Sequence, residues 1–377
     1  MLFFLLMIAA SPSSPTSSNR QALGYHRGSC LPHERDALLA FKQGITSDPS
    51  GRLASWDEGK EQDCCKWRGI RCSNHTNRVI AIQLRNTQPD DDDLKRHPAW
   101  ETALAGQISP SLITLQHLQR LDLSENDISG PAGRVPEFLG LLKNLRYLNL
   151  SGMTFTGEVP PQLGNLSKLH YLDLSRPNLF APVLLGTSLY STDISWLSNL
   201  PLHYLDMSSV DLSRVVDWAH VVNMVPSLKV LRLSECSLAS ANESIRHVNL
   251  TDLEELSLFG NNFDHPIASC WFWNLTSLQY LELAATFLHG QMPYALGGGQ
   301  LDTLYAQNPL MYDGNIGLCG YPLQKNCNGS GQPKHSDLKR DGQDSKVLTL
   351  SFGLGLGCYM SEMDQNDSET LGHCETS

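Results

Sequence analysis

The ten cysteines are the side chains with most chemical potential, and their placement points to staples. Cys30, Cys64, Cys65 and Cys72 cluster near the start, Cys319 and Cys327 form a close late pair, and Cys236, Cys270, Cys358 and Cys374 are scattered. No two stand at Cys-x-x-Cys spacing. Clusters at two ends suggest disulfides, which persist in an oxidising compartment. Four cysteines in the first cluster allow three pairings. Cys236 and Cys270 are expected as buried thiols. The thirteen histidines are dispersed, with no His-Glu-x-x-His, and no Gly-x-Ser-x-Gly or kinase signature is present. Gly353-Leu-Gly-Leu-Gly357 lacks the strand–helix context and lysine of a phosphate loop. Asp90 to Asp93 lack the spacing of a calcium loop and are expected as a solvated acidic run. No enzyme, cofactor or metal site is therefore expected.

The start of the chain agrees with the oxidising compartment. Leu2 to Ala10 is an apolar run too short to span a membrane, and residues 1–22 are expected to be a signal peptide and leader. Eight Asn-x-Ser/Thr sequons point the same way: Asn74, Asn149, Asn165, Asn242, Asn249, Asn274, Asn328 and Asn366. The 377 residues carry a formal charge of −11, which disfavours nucleic acid as a partner. Leucine is the outlier, with 40 between positions 101 and 300, spaced rather than in runs.

Those leucines must position whatever chemistry the chain has. The pattern L-x-x-L-x-L recurs from Leu118, Leu145, Leu169, Leu202, Leu228, Leu253 and Leu278, with a degenerate copy at Ile82 and Leu84. Its second leucines (Leu121, Leu148, Leu172, Leu205, Leu231, Leu256 and Leu281) are spaced by 27, 24, 33, 26, 25 and 25 residues. The last two leucines of each copy are two apart, so they share one side of a short strand. Stacked copies then give a parallel sheet and a continuous leucine core. Asn126 and Asn261 follow at the turn, where a buried amide satisfies backbone groups; Met153, Pro177, Val210, Cys236 and Thr286 replace it elsewhere, so an asparagine ladder is expected to be weak. A second sub-motif places Gly before Pro at Gly106–Pro110, Gly133–Pro136, Gly157–Pro160 and Gly290–Pro293. Gly allows tight turning and Pro ends strand pairing. Insertions are expected near 87–103 and 180–195.

The residues flanking the last two leucines are expected to point outward. One column reads Arg120, Tyr147, Tyr171, Tyr204, Val230, Glu255 and Tyr280; the next reads Asp122, Asn149, Asp173, Asp206, Arg232, Ser257 and Glu282. Tyrosines in one column give rigid amphipathic contact area of the kind enriched at binding hot spots. Tyrosine is equally a good strand residue that stacks on its neighbours. Acidic neighbours favour a basic or hydroxyl-rich partner. A glycan on Asn149 would obstruct this face. Trp196, Trp218, Trp271 and Trp273 are expected in repeat cores and loop anchors.

The repeat resembles the plant extracellular type of leucine-rich repeat, L-x-x-L-x-x-L-x-L-S-x-N-x-L-x-G-x-I-P. Residues 28–72, with Cys30-Leu-Pro-His-Glu-Arg-Asp-Ala-Leu-Leu-Ala-Phe-Lys42, Leu53-Ala-Ser-Trp56 and Cys64-Cys65-Lys-Trp67, resemble the N-terminal cap of those proteins. Leu38, Phe41 and Ile45 fall on one helical face there, and Glu34 and Asp36 suit its first turn. Residues 301–327, containing Asn308 to Cys327, resemble the C-terminal cap of plant receptor-like proteins. The resemblance implies an α/β solenoid: a right-handed leucine-rich-repeat superhelix of about eight repeats over 79–300, parallel strands on its concave face, and stapled caps. It implies Cys30–Cys64, Cys65–Cys72 and Cys319–Cys327 pairing. It also implies a cell-surface receptor in plant defence that binds an extracellular peptide, protein or glycan and signals through a co-receptor kinase at the membrane.

Two departures from the family stand out. Eight repeats is few, and the jump through Gly297-Gly-Gly-Gln300 reads as a missing block. The family runs into a membrane helix, whereas residues 347–360 are only partly suited to one and the remainder of 328–377 is polar. The chain as written would be secreted, with a soluble inhibitor or decoy of microbial hydrolases, or a truncated product without function, as the competing expectations.

Overall fold

The computed structural model describes residues 29–87, 101–176, 189–293 and 300–327, except 58, 243, 244, 246 and 324, together with 349–352 and 356–359. Two units are present, 1–327 and 328–377.

In the first unit each L-x-x-L-x-L forms one three-residue strand. Labelled along the chain, β1 is Ile70–Cys72, β2 Val79–Gln83, β3 Arg120–Asp122, β4 Tyr147–Asn149, β5 Tyr171–Asp173, β6 Tyr204–Asp206, β7 Val230–Arg232, β8 Glu255–Ser257 and β9 Tyr280–Glu282. They make one nine-stranded sheet in chain order, antiparallel between β1 and β2 and parallel from there on. The register is uniform: Leu121, Leu148, Leu172, Leu205, Leu231, Leu256 and Leu281 stand opposite one another from rung to rung. All seven are 0% exposed. A buried leucine contributes about 1.5–3 kcal/mol, so the leucine stack is a major stabilising element of every rung. This is the leucine-rich-repeat solenoid that the sequence implied.

Short 3-10 helices cover the other side, among them Pro110–Thr114, Glu137–Leu141, Pro161–Asn165 and Ser195–Asn199. Between them lies something the pattern did not predict. Three of the four Gly-before-Pro segments form small strands of their own: Ala105–Gln107 pairs with Asp127–Ser129, Gly157–Glu158 with Leu189–Tyr190, and Gly290–Gln291 with Leu318–Cys319, whereas Gly133 ends a 3-10 helix, Pro131–Gly133. Proline ends these strands, but the glycine belongs to them. At Gly106, with φ +142°, a Cβ would sit 2.3 Å from the Gly44 carbonyl oxygen, so only glycine fits.

The amide ladder is stronger than expected. Asn261 Oδ1 accepts from the Cys236 and Leu238 amides at 3.1 and 3.0 Å, and its Nδ2 donates to the Leu233 and Leu258 carbonyls at 2.8 Å each. Asn126 bonds in the same way to Leu104, Leu84 and Leu123. Asn315, inside the C-terminal cap, repeats the pattern with Thr286, Leu288, Leu283 and Tyr312. Where asparagine is replaced, the Cys236 thiol donates to the Met207 carbonyl and the Thr286 hydroxyl to that of Leu283. Pro177 lies outside the described residues.

The N-terminal cap packs α1 (Pro32–Gln43) with Leu38 and Phe41 fully buried beside Trp56 and Trp67. Ile45 is a correction: the helix ends before Gly44, and Ile45 lies on a strand opposite Gly106. Glu34 is buried, accepting from the Val79 amide at 2.9 Å. Disulfides join Cys30–Cys64, Cys65–Cys72 and Cys319–Cys327. Trp196, Trp218 and Trp271 are buried and Trp273 partly so.

In the second unit, Thr349–Phe352 pairs antiparallel with Leu356–Tyr359 inside the stretch expected as an incomplete membrane segment. Among the described residues no helix is long and apolar enough to cross a membrane. The leader (1–22), Asp90 to Asp93, most of both insertions, Asn328, Asn366 and Cys374 lie outside the described residues.

Candidate ligand-binding face

The uniform register brings the first outward column together as one stack. Tyr147 lies on Tyr171 with ring centroids 4.1 Å apart and planes 14° apart; Tyr171 lies on Tyr204 at 4.2 Å and 7°. Arginines close both ends, with the Arg120 guanidinium 3.4 Å from the Tyr147 centroid and that of Arg232 5.7 Å from the Tyr204 centroid. Parallel strands repeat every ~4.8 Å, so planar rings one rung apart need only tilt to touch. Their faces are thereby used on one another. What remains half-exposed is a ledge of ring edges and hydroxyls.

Most of the second column does not face solvent; Arg232 and Glu282 are its partly exposed members. Asp122, Asn149, Asp173, Asp206 and Ser257 are buried, which corrects the expectation that both columns project freely. Sequence two residues on explains why. Asp173 Oδ1 accepts from the Ser175 amide at 3.1 Å and its hydroxyl at 2.7 Å; Asn149 does the same with Ser151, Asp122 with Ser124, and Asp206 takes the Ser208 amide. The other carboxylate oxygen accepts from the tyrosine above it, Tyr171 at 3.4 Å and Tyr204 at 3.5 Å. Each Tyr-Leu-Asp-Leu-Ser rung is thus a closed set of bonds, with the acid holding the tyrosine upright and closing the turn. Burial, with the neighbouring Asp206 charge, pushes Asp173 up to about 6. Asp206 is also raised by burial, against the bonds from Ser208 and the charge of Arg232.

Past Tyr204 the face changes sign. Arg232 Nε donates to Glu255 at 2.5 Å, and its Nη1 donates to the Tyr204 hydroxyl at 3.3 Å and lies 3.9 Å from Asp206. Burial opposes the Arg232 charge, but these partners outweigh it and hold the group protonated. Tyr280 donates to Glu282 at 3.1 Å, and Asn308 of the C-terminal cap donates to Glu282 at 2.6 Å. Burial and the Glu282 charge push Tyr280 up to about 12. Tyr280 therefore stands apart from the three-ring stack, which Val230 and Glu255 interrupt.

A third row lies one residue before the tyrosines, and it contains His170 and His203, whose equivalent repeat positions are evident in the sequence. Arg146, His170, His203 and Lys229 follow one another on successive rungs, each amide donating to the preceding carbonyl at 2.8–2.9 Å. The His170 and His203 rings meet edge to face at 4.9 Å. The same repeat position on the flanking rungs adds Arg146 and Lys229, which the sequence reading did not join to the two histidines. At the N-terminal end, a cleft of about 880 Å³ lined by Arg52, Arg68, Arg85 and Arg120 runs up to Tyr147.

The sequons divide by burial. Asn74, Asn165, Asn242, Asn249 and Asn274 are exposed, whereas Asn149 is 3% exposed with its amide committed to Ser151 and Tyr147. Cys236 and Cys270 are free thiols in the core, and burial raises both far above the ordinary thiol range.

Two family models match the chain. "Leucine rich repeat N-terminal domain" covers residues 31–73 and "Leucine Rich Repeat" covers 144–166, the rung of Tyr147 and Asn149. Receptor-like protein EIX1 of Solanum lycopersicum is 37% identical over 281 residues, 73% of this chain and 26% of that protein. Receptor-like protein EIX2 of the same plant is 37% identical over 272 residues, 71% of this chain and 25% of that protein. Among solved structures, the Arabidopsis receptor kinase HAESA, crystallised with the peptide hormone IDA and the co-receptor SERK1, matches at 22% identity and TM-score 0.48, over 70% of this chain and 47% of that one. A cap and a repeat recognised as such, in a chain that spans about a quarter of the curated relatives it matches, make this a plant leucine-rich-repeat receptor-like protein related to tomato EIX1 and EIX2.

Proposed function

We propose that this chain captures an extracellular peptide, protein or glycan on its concave ledge and contributes to plant defence signalling at the cell surface, relayed by a co-receptor kinase. The observation that carries this reading is the stack of Tyr147, Tyr171 and Tyr204 between two guanidinium groups. It is rigid, half-exposed and fixed from below by buried acids, so binding it costs little ordering of side chains. The co-receptor and the defence role rest on the family; the names of the tomato relatives say only that they are receptor-like proteins.

The test uses the secreted chain with peptide-display and glycan arrays as probes. Capture that disappears in Tyr171→Ala/Tyr204→Ala supports the ledge as the site. Capture that is unchanged in this variant, with the fold intact by circular dichroism, moves the site elsewhere.

A further inference from the structure

The charges of this face are arranged differently from what the sequence suggested. Its aspartates lie beneath the ledge and are committed to serine and tyrosine partners, so they offer a ligand little. The exposed side chains beside the ledge are Arg146, His203 and Lys229, with half-buried His170 between them; burial and the His170 and Lys229 charges lower His203 from the ordinary histidine value, so Arg146 and Lys229 carry the positive charge of the row. None of Arg146, His170 and His203 forms an ion pair among the described residues. Lys229 pairs with Glu254 at 3.2 Å, with both groups largely exposed, so a ligand carboxylate can exchange into that pair. On the rung before Arg146 the row reads Gln119; Arg120 belongs to the tyrosine column, lying over Tyr147 and paired with Asp122 at 3.2 Å. The chain's overall charge of −11 does not cancel the row's charge locally, because charges beyond about 8 Å are screened at physiological salt.

We infer that the ledge and this row bind an oligouronide, a chain of sugar acids lying along the solenoid with carboxylates at Arg146 and Lys229. This rests on the concave ledge being a binding site. The ledge selects this ligand over an acidic peptide. Its ring faces are covered by one another, so no apolar anchor side chain can insert, while hydroxyls and ring edges are presented in a line. A hydroxyl-rich ligand meets such a surface better than an apolar one. The face turns acidic at Glu254, Glu255 and Glu282, which limits the ligand to the rungs from Arg146 to Lys229.

The experiment is calorimetric titration of the secreted full chain with three probes: an unesterified oligogalacturonate long enough to cross those rungs, its fully methyl-esterified form, and a poly-glutamate peptide of equal charge. Expected are binding of the unesterified sugar that weakens with added salt, no binding of the ester, and weaker binding of the peptide. In Arg146→Gln/Lys229→Gln, whose side chains are exposed, affinity for the unesterified sugar should fall about tenfold with the melting temperature unchanged. No binding of the unesterified sugar, equal binding of the ester, equal binding of poly-glutamate, or indifference to the double substitution would each overturn the proposal. Should the sugar fail while an array ligand still depends on Tyr171 and Tyr204, the ledge survives as a site and only its assignment to uronides falls.

Discussion

Tyr171 and Tyr204 are 33 positions apart in sequence, yet their rings stack at 4.2 Å and within 7° of parallel. The stack exists because β5 and β6 pair in register, Tyr171 opposite Tyr204 and Asp173 opposite Asp206, although one of the two inter-repeat insertions separates them.

Removing the middle ring should therefore cost more than removing an end one. Tyr171→Ala loses two stacked contacts and should destabilise the chain by about 1–3 kcal/mol. Tyr171→Phe keeps both and gives up one long hydroxyl bond to Asp173, so it should cost under about 1 kcal/mol. Chemical denaturation of both variants checks the order; equal losses would mean that the stack contributes nothing.

The raised Asp173 carboxyl predicts a pH dependence. Its folded value of about 6 lies above the ordinary aspartate value of 3.8, so the fold favours the protonated form. That contribution is fully present below about pH 4 and is lost as pH rises through about 6. Asn149 shows that an amide fits this slot with the same serine bonds. Asp173→Asn should thus stabilise the chain by about 2 kcal/mol at pH 7.5 and by little at pH 4. Because the change creates a sequon with Ser175, the protein should be made without N-glycosylation. A melting temperature that is unchanged at pH 7.5 counts against the buried-charge account.

Glycan occupancy should follow burial. Peptide mapping of the secreted chain should find sugar among Asn74, Asn165, Asn242, Asn249 and Asn274, and none on Asn149. A glycan at Asn149 in folded protein would require its rung to open, and the tyrosine ledge with it.

The amide ladder makes a sharper stability prediction. Asn261→Ala strips partners from two amides and two carbonyls in the core, and should cost about 3 kcal/mol or more. Asn242→Ala, at an exposed site, should change stability by less than about 0.5 kcal/mol. Equal melting temperatures for the two would show that the ladder is dispensable.

The spacing of leucines was enough to define the strands, their parallel order and the face carrying Tyr147, Tyr171 and Tyr204. A two-residue alternation leaves a strand no other way to bury Leu148, Leu172 and Leu205. The caps were legible through their cysteines, and the disulfide pairs through likeness to a family. Asn315 was hidden because it lies in the cap, outside any repeat. Ile45 was misplaced because helical spacing continues on paper past the glycine that ends α1.

What the sequence could not decide was how much of the outward face is outward. Asp173 and Tyr171 alternate with the same leucine, and nothing in that alternation separates a buried carboxylate from an exposed ring edge. The difference comes from neighbours. Tyr171, held in the stack by Tyr204, donates to Asp173; Ser175 draws Asp173 into its turn; and burial, with the Asp206 charge on the next strand, raises its proton affinity. Exposure and charge on this face belong to the stack of rungs. One repeat determines where its strand begins and ends; only the assembled sheet determines which of its polar side chains a ligand can reach.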